Sequence, residues 1–505
     1  MGFSAIDYVV LAAYLVGITA FGTLFRRSQR TIKDYFLGAR NTSWIVISLS
    51  IVATETSTLT LIGVPALAYA NYARPEIGGS FTYLQVVLGY IVARIIISLL
   101  FIPAYFKGEL LTAYALLNNR FGERTKNAAA SMFLVMRALA EGVRVYAASL
   151  VLVAVLGSSL PGLSHLWLWA IIIVGLLTLV YTFEGGIAAV IWTDLIQLVI
   201  YVGGSLLAAY ELIRLIPGGW NTIASVGGEA GKFQVLSFST NPALPFTFWA
   251  GLLGGTFLTM GSHGTDQLLV QRLLTCRSQR DSQKAVVFSG VVVLFQFVLF
   301  LTIGVMLYCY YRVYPLTTSL ASNDEVFPNF IVQRLPHGIS GLVIAAIFAA
   351  AMSNLSGSLN SLSSSTMIDF YRPLLGKTLG DEDLLRLSRW FTAAWGVVLI
   401  GIAVVARGWG SVFTAGLSIA SIVYGPMLGA FLLGVLTRRA NQTGVITGMA
   451  TSLAAMIAVK LLTPLAWTWY VLVGTVLCVA IAYPVSLLAE PAQAEVEVEV
   501  SHTGK

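Results

Sequence analysis

The chain predicts an all-α integral membrane protein of about thirteen transmembrane helices. Of its 505 residues, 57% are hydrophobic and only 10% charged, against roughly 25% charged in a soluble globular domain. Apolar runs of about 20 residues, the length a helix needs to cross a bilayer, recur along nearly the whole chain. Lys and Arg gather in alternate connections between these runs, which is the bias that sets orientation in a membrane. Little sequence is left for a soluble domain.

The spans fall near 8–25, 44–71, 81–106, 128–156, 166–183, 185–213, 245–262, 285–311, 338–366, 386–406, 411–436, 442–463 and 467–489. The first ends in Arg26-Arg27 without a small-residue cleavage pattern, so it reads as a retained span and not a signal peptide. Connections after spans one, three, seven, nine and eleven carry Arg26, Arg27, Arg30, Lys33, Arg40; Lys107, Arg120, Arg124, Lys126; Arg272, Arg277, Arg280, Lys284; Arg372, Lys377, Arg386, Arg389; Arg438 and Arg439. The opposite face holds only Arg74, Arg214, Lys232, Arg312, Arg334 and Arg407. The N-terminus is therefore expected outside and the C-terminus in the cytoplasm, and a bacterial inner membrane suits the chain. The net charge of +7 reports topology and requires no nucleic-acid partner. The longest outside connections are 217–244 and 313–337. Residues 490–505 alternate Glu and Val, which reads as a disordered cytoplasmic tail, too short for a receptor's output domain.

Cys276, Cys309 and Cys478 lie far apart, suggesting neither a disulfide framework nor a zinc site. The four histidines are scattered without a nucleophile or metal cluster, which excludes the usual enzyme arrangements.

Two spans read as interrupted. "VATETSTLTLIG" sets Glu55 among hydroxyls in the second, and "AGLLGGTFLTMGSHG" brings glycines to the same depth of the seventh. They open successive five-span groups. An odd number of spans inverts the second group relative to the first, and paired broken helices in inverted repeats point to a transporter's central site. The expected division is 1–43 (first helix and basic loop), 44–216 (first five-helix repeat), 217–244 (outer loop), 245–437 (second five-helix repeat) and 438–489 (two further helices).

The ninth span is unusually polar. Ser353, Ser356, Asn360 and Ser364 fall at i, i+3, i+7 and i+11, along one helix face, and nine of the thirteen residues from Ser353 to Ser365 are Ser or Asn. Hydroxyls facing carbonyls freed at a helix break are hard ligands suited to sodium; a serine bonded to its own helix backbone is the alternative. Intramembrane charges also need a reason, since each costs about 2.5–3.5 kcal/mol at mid-membrane unless paired or hydrated. Glu141 and Arg144, at i and i+3, can satisfy each other; alternatively Arg144 faces a cavity and holds a substrate carboxylate. Glu55, with Ser57 and Thr60, would then address an amine or hydroxyls.

"TFEGGIAAVIWTDLIQ" (182–197), "GTDQLLVQRLLTCRS" (264–278) and "AAAMSNLSGSLNSLSSSTMIDFY" (349–371), in this order, resemble the sodium/solute symporter family. The resemblance implies a 5+5 inverted-repeat core of the leucine-transporter type, sodium as coupling ion, and rocking between outward and inward states in a monomer surrounded by lipid. It places the shared sodium site on the carbonyls of Ala53, Thr56 and Ala350 with the side chains of Ser353 and Asn354. Asn354 departs from the Ser or Thr of relatives. A second sodium would use Asp194 and Ser356, but Gly357 has no hydroxyl to complete it. Where sugar-carrying relatives place their pocket residues, this chain has Thr60, Val87 and Leu268, with Gln85 nearby. A carboxylated solute, such as an amino acid, monocarboxylate or sugar acid, is therefore expected over neutral sugar. Proton coupling and a channel remain alternatives on the same scaffold.

Overall fold

A computed structural model describes residues 3–108, 110–156, 165–316, 320, 322–375, 380–408 and 412–489; the expected tail at 490–505 lies outside them. Among the described residues all regular structure is helical, apart from an isolated bridge between Thr42 and Cys276. Among the described residues, nine helices are long and apolar enough to cross a membrane, or ten if one bent pair counts as a span, where about thirteen were expected. Particular elements account for the difference. Leu166–Leu215 is 50 residues long and joins the expected fifth and sixth spans across a non-helical Gly186 (φ 52, ψ −150). Unbroken, it would extend about 75 Å, a length that a hydrocarbon core of about 30 Å holds only as two crossings. Glu123–Leu156 carries Arg137, Glu141 and Arg144, which lower its apolarity, and Gly255–Gly264 is short.

The second span is broken as expected. Trp44–Glu55 and Thr58–Tyr69 meet at 65°. Thr56 takes an extended conformation (φ −84, ψ 95), ending the first half. Ser57 then caps the second half, its hydroxyl accepting from the Thr60 amide. A helix end leaves carbonyls without intrahelical partners, so this break supplies acceptors in the middle of the span.

The seventh span differs from expectation. Its glycines do not break it: a π-turn at Ala250–Gly254 runs into the continuous helix Gly255–Gly264. These glycines serve close approach instead. A Cβ on Gly255 would lie 2.6 Å from the Val86 carbonyl, and one on Gly261 would lie 2.8 Å from the Tyr424 Cβ. The interruption comes just beyond, at Thr265 and Asp266, where the Asp266 carboxylate caps the helix Gln267–Leu274 by accepting from the Leu268 amide at 2.9 Å.

The polar ninth span, Ile339–Ser365, is buried at every position from Val343 to Ser365. It packs against Leu166–Leu215, Ala5–Thr23 and Glu123–Leu156. Its hydroxyls and amides therefore face protein and not lipid.

Candidate functional site

The break and Glu123–Leu156 meet at a cavity of about 150 Å³, which Leu258, His263 and Tyr424 also line. Glu55, Ser57 and Thr60 line it from the broken span and Arg144 from Glu123–Leu156; Tyr83, Tyr90 and Phe297 add an aromatic wall. Tyr83 and Phe297 stack at 5.2 Å. Four of the five expected substrate residues thus share one cavity. Gln85 does not join them. It is buried with its amide committed elsewhere, donating to the Thr82 and Phe246 carbonyls at 3.1 and 2.9 Å and accepting from the Ser237 amide at 3.0 Å.

Ion pairs organise the surroundings. Glu55 pairs with Arg94, whose guanidinium also donates to the Ser289 hydroxyl at 3.1 Å; His263 Nε2 stands 3.5 Å from the same carboxylate. Arg137 pairs with Asp266, and the Tyr424 hydroxyl donates to that carboxylate at 2.6 Å. Arg144 pairs with Glu141 at 3.3 Å, and Ser358 donates to Glu141 at 2.9 Å. The sequence left open whether Arg144 satisfies Glu141 or faces the cavity; the structure has it doing both. The three arginines differ in access: the side chains of Arg94 and Arg137 are 0% and 3% exposed, while that of Arg144 is 22% exposed. Among the three carboxylates Glu55 is the accessible one, at 17%.

Arg94, Arg137, His263 and Asp266 were not singled out from sequence. The signal was available for the arginines, because each lies within an apolar run where an unpaired charge is costly. Arg272 needs a correction. Counted among the cytoplasmic loop cations, it is instead 1% exposed on the helix Gln267–Leu274 and paired with Asp194 at 3.0 Å. Asp194 also accepts from Ser50, Thr54 and Ser353, at 2.6, 3.2 and 2.5 Å. Ser356 turns back to the Ser353 carbonyl at 3.0 Å. Gly357 leaves room for the arginine: a Cβ there would lie 2.8 Å from Arg272 Nη2.

Of the five residues expected to hold sodium, Thr56, Ala350 and Asn354 meet. Asn354 Nδ2 donates to the Thr56 carbonyl at 3.1 Å and to the Ala350 carbonyl at 3.3 Å. Two hard oxygens from the break and the polar helix thus converge on one point, a donor set suited to a dehydrated alkali cation. Ala53 is fully buried in the last turn before the break, and Ser353 aims its hydroxyl at Asp194.

Comparison with known proteins gives consistent results. The model of the sodium:solute symporter family matches residues 35–452. The chain is 30% identical to the sodium-coupled monocarboxylate transporter 1 of Mus musculus, over 89% of this chain and 72% of that one. It is 29% identical to the sodium/sialic acid symporter NanT of Aliivibrio fischeri, over 95% and 93%. Among solved structures it is similar to a Na+-coupled sialic acid symporter in a substrate-bound outward-open state, with a TM-score of 0.86, 27% identity and coverage of 97% and 99%.

Proposed function

Because the chain belongs to the sodium:solute symporter family, and so is a multi-pass membrane protein of the leucine-transporter type, we propose that it imports a small carboxylate-bearing solute with sodium by alternating access. The observation that carries the substrate class is Arg144. It is the most exposed of the cavity arginines, and a guanidinium's planar fork suits a carboxylate. The size of the cavity favours a short solute. An apolar cavity of about 150 Å³ holds benzene, with about six heavy atoms, and pyruvate and alanine have the same number. Glu55, Ser57 and Thr60 would then contact the rest of the solute. Ala53, Thr56, Ala350, Ser353 and Asn354 would hold sodium, and Asp194 with Ser356 a second ion only if Arg272 moved away. This reading includes no enzymatic step. It keeps about thirteen spans, ten of them in two five-helix repeats, with the N-terminus outside a bacterial inner membrane and the monomer sufficient for transport.

The test is uptake into proteoliposomes under an inward sodium gradient, with labelled pyruvate, alanine, N-acetylneuraminate and glucose compared. Sodium-dependent uptake of a carboxylate, lost in Arg144→Gln, is the expected result. Uptake of glucose alone, or carboxylate uptake driven by a pH gradient without sodium, would replace the proposal.

A further inference from the structure

We propose that the side-chain amide of Asn354 is the switch that couples sodium to the carboxylated solute, by rotating between two hydrogen-bonded states. This rests on the sodium coupling proposed above. Chemistry dictates how the amide is oriented. The Thr56 and Ala350 carbonyls can only accept, so they face Nδ2; the Arg144 guanidinium can only donate, and its Nη1 lies 3.5 Å from Oδ1, at the outer limit of a hydrogen bond. The amide nitrogen therefore stands where a cation held by these two carbonyls would stand.

Sodium entry requires Asn354 to withdraw that nitrogen and present Oδ1, a half-turn about its terminal torsion. The half-turn moves NH₂ toward Arg144, setting donor against donor. Two facing donors in a site where Asn354 is 2% exposed leave a polar group unsatisfied, which is costly. A solute carboxylate placed between them resolves the conflict, since its oxygens accept from both Arg144 and Asn354. Glu141 already takes Arg144 and Ser358 on its Oε2. Without the solute the amide blocks the ion; with the solute it becomes a ligand. A serine or threonine at this position has no second donor and cannot make the exchange.

The consequence is reciprocal: solute and sodium each tighten the other by the same factor. Sodium affinity is read from thermal stability in sodium titrations balanced with choline, with no solute present. Asn354→Ser keeps an oxygen ligand and removes the blocking nitrogen, so it should bind sodium about tenfold more tightly than wild type, within the usual range of site coupling. Arg144→Gln should also tighten sodium in the wild-type background. In the Asn354→Ser background it should add nothing, because both changes act through one amide. If Arg144 acted through its charge alone, its replacement would give the same gain in both backgrounds, and that result would overturn the switch. So would an Asn354→Ser affinity no tighter than wild type. A complete lack of sodium-specific stabilisation in wild type and Asn354→Ser alike would instead remove the sodium reading, and this inference with it.

Discussion

Asp194 carries four polar partners on two oxygens: Arg272, Ser50 and Thr54 on one, Ser353 on the other. With 0% and 1% of their side chains exposed, Asp194 and Arg272 form a buried pair. Such a pair is poor evidence for net stability, but breaking it from one side costs about 3–5 kcal/mol because a charge is left without compensation. Asp194→Asn should therefore lower the melting temperature strongly, while Asp194→Asn with Arg272→Gln recovers much of the loss. A double variant as unstable as the single one would show that the hydroxyl contacts, and not the ion pair, hold this region. This aspartate was legible in the sequence as the ion ligand that the family resemblance implies. Its partner was not, because Arg272 lies 78 positions away in a segment whose composition looks like a cytoplasmic connection. Sequence reports that a buried charge needs a partner and cannot say which distant residue the fold delivers.

At the level of elements, the two halves of the broken span are fixed by different means. The first half ends at the polar site, whereas the second half, Thr58–Tyr69, is held at its far end by Lys232 from the connection 217–244. Its ammonium donates to the Ala68, Tyr69 and Ala70 carbonyls at 3.2, 3.2 and 2.5 Å and lies 4.1 Å from the Tyr308 ring centre. A cation at a helix C-terminus satisfies orphan carbonyls and favours the helix dipole. Burial nevertheless pulls Lys232 down from 10.5 to about 8, with Arg312 adding repulsion. Between about pH 8 and 10.5 the folded protein thus binds fewer protons at this group than the unfolded chain, so its contribution to stability rises with pH. Below pH 8 both states are protonated and the contribution is flat. Lys232→Met should lose that rise, measured as the difference in melting temperature between wild type and variant from pH 7 to 10. A constant difference would mean an ordinary lysine. The break itself was legible from Glu55, Thr56 and Ser57, since polar residues and a capping serine interrupt an apolar run in only a few ways. The seventh span was not, because glycine marks a break and a close helix contact equally well; only the neighbours, Val86 and Tyr424, tell them apart.

For the whole molecule, helix type and the succession of spans were readable from hydropathy, because lipid demands internally satisfied backbone. The expected orientation rests on the loop charges, from which Arg272 is withdrawn. It is directly checkable because Cys276, Cys309 and Cys478 are all buried and free. A cysteine at exposed Ser225, in the outer connection, should react with an impermeant maleimide in intact cells, whereas one at exposed Arg280 should react only after permeabilisation. The reverse pattern would invert the topology. The matched buried pairs, Glu55 with Arg94, Asp266 with Arg137, Glu141 with Arg144 and Asp194 with Arg272, carry one further consequence, and it is electrical. Each pair crosses no field as a net charge, so these groups contribute no gating charge when the carrier rocks. Pairing thus bears on transient charge movement within the cycle; over a complete cycle the carrier returns to its starting state, and the charge moved is that of the cargo alone. One sodium with one monoanion moves no net charge, and the membrane voltage neither drives nor opposes it; the same sodium with a zwitterion is electrogenic, drawing on the voltage as well as on the sodium gradient.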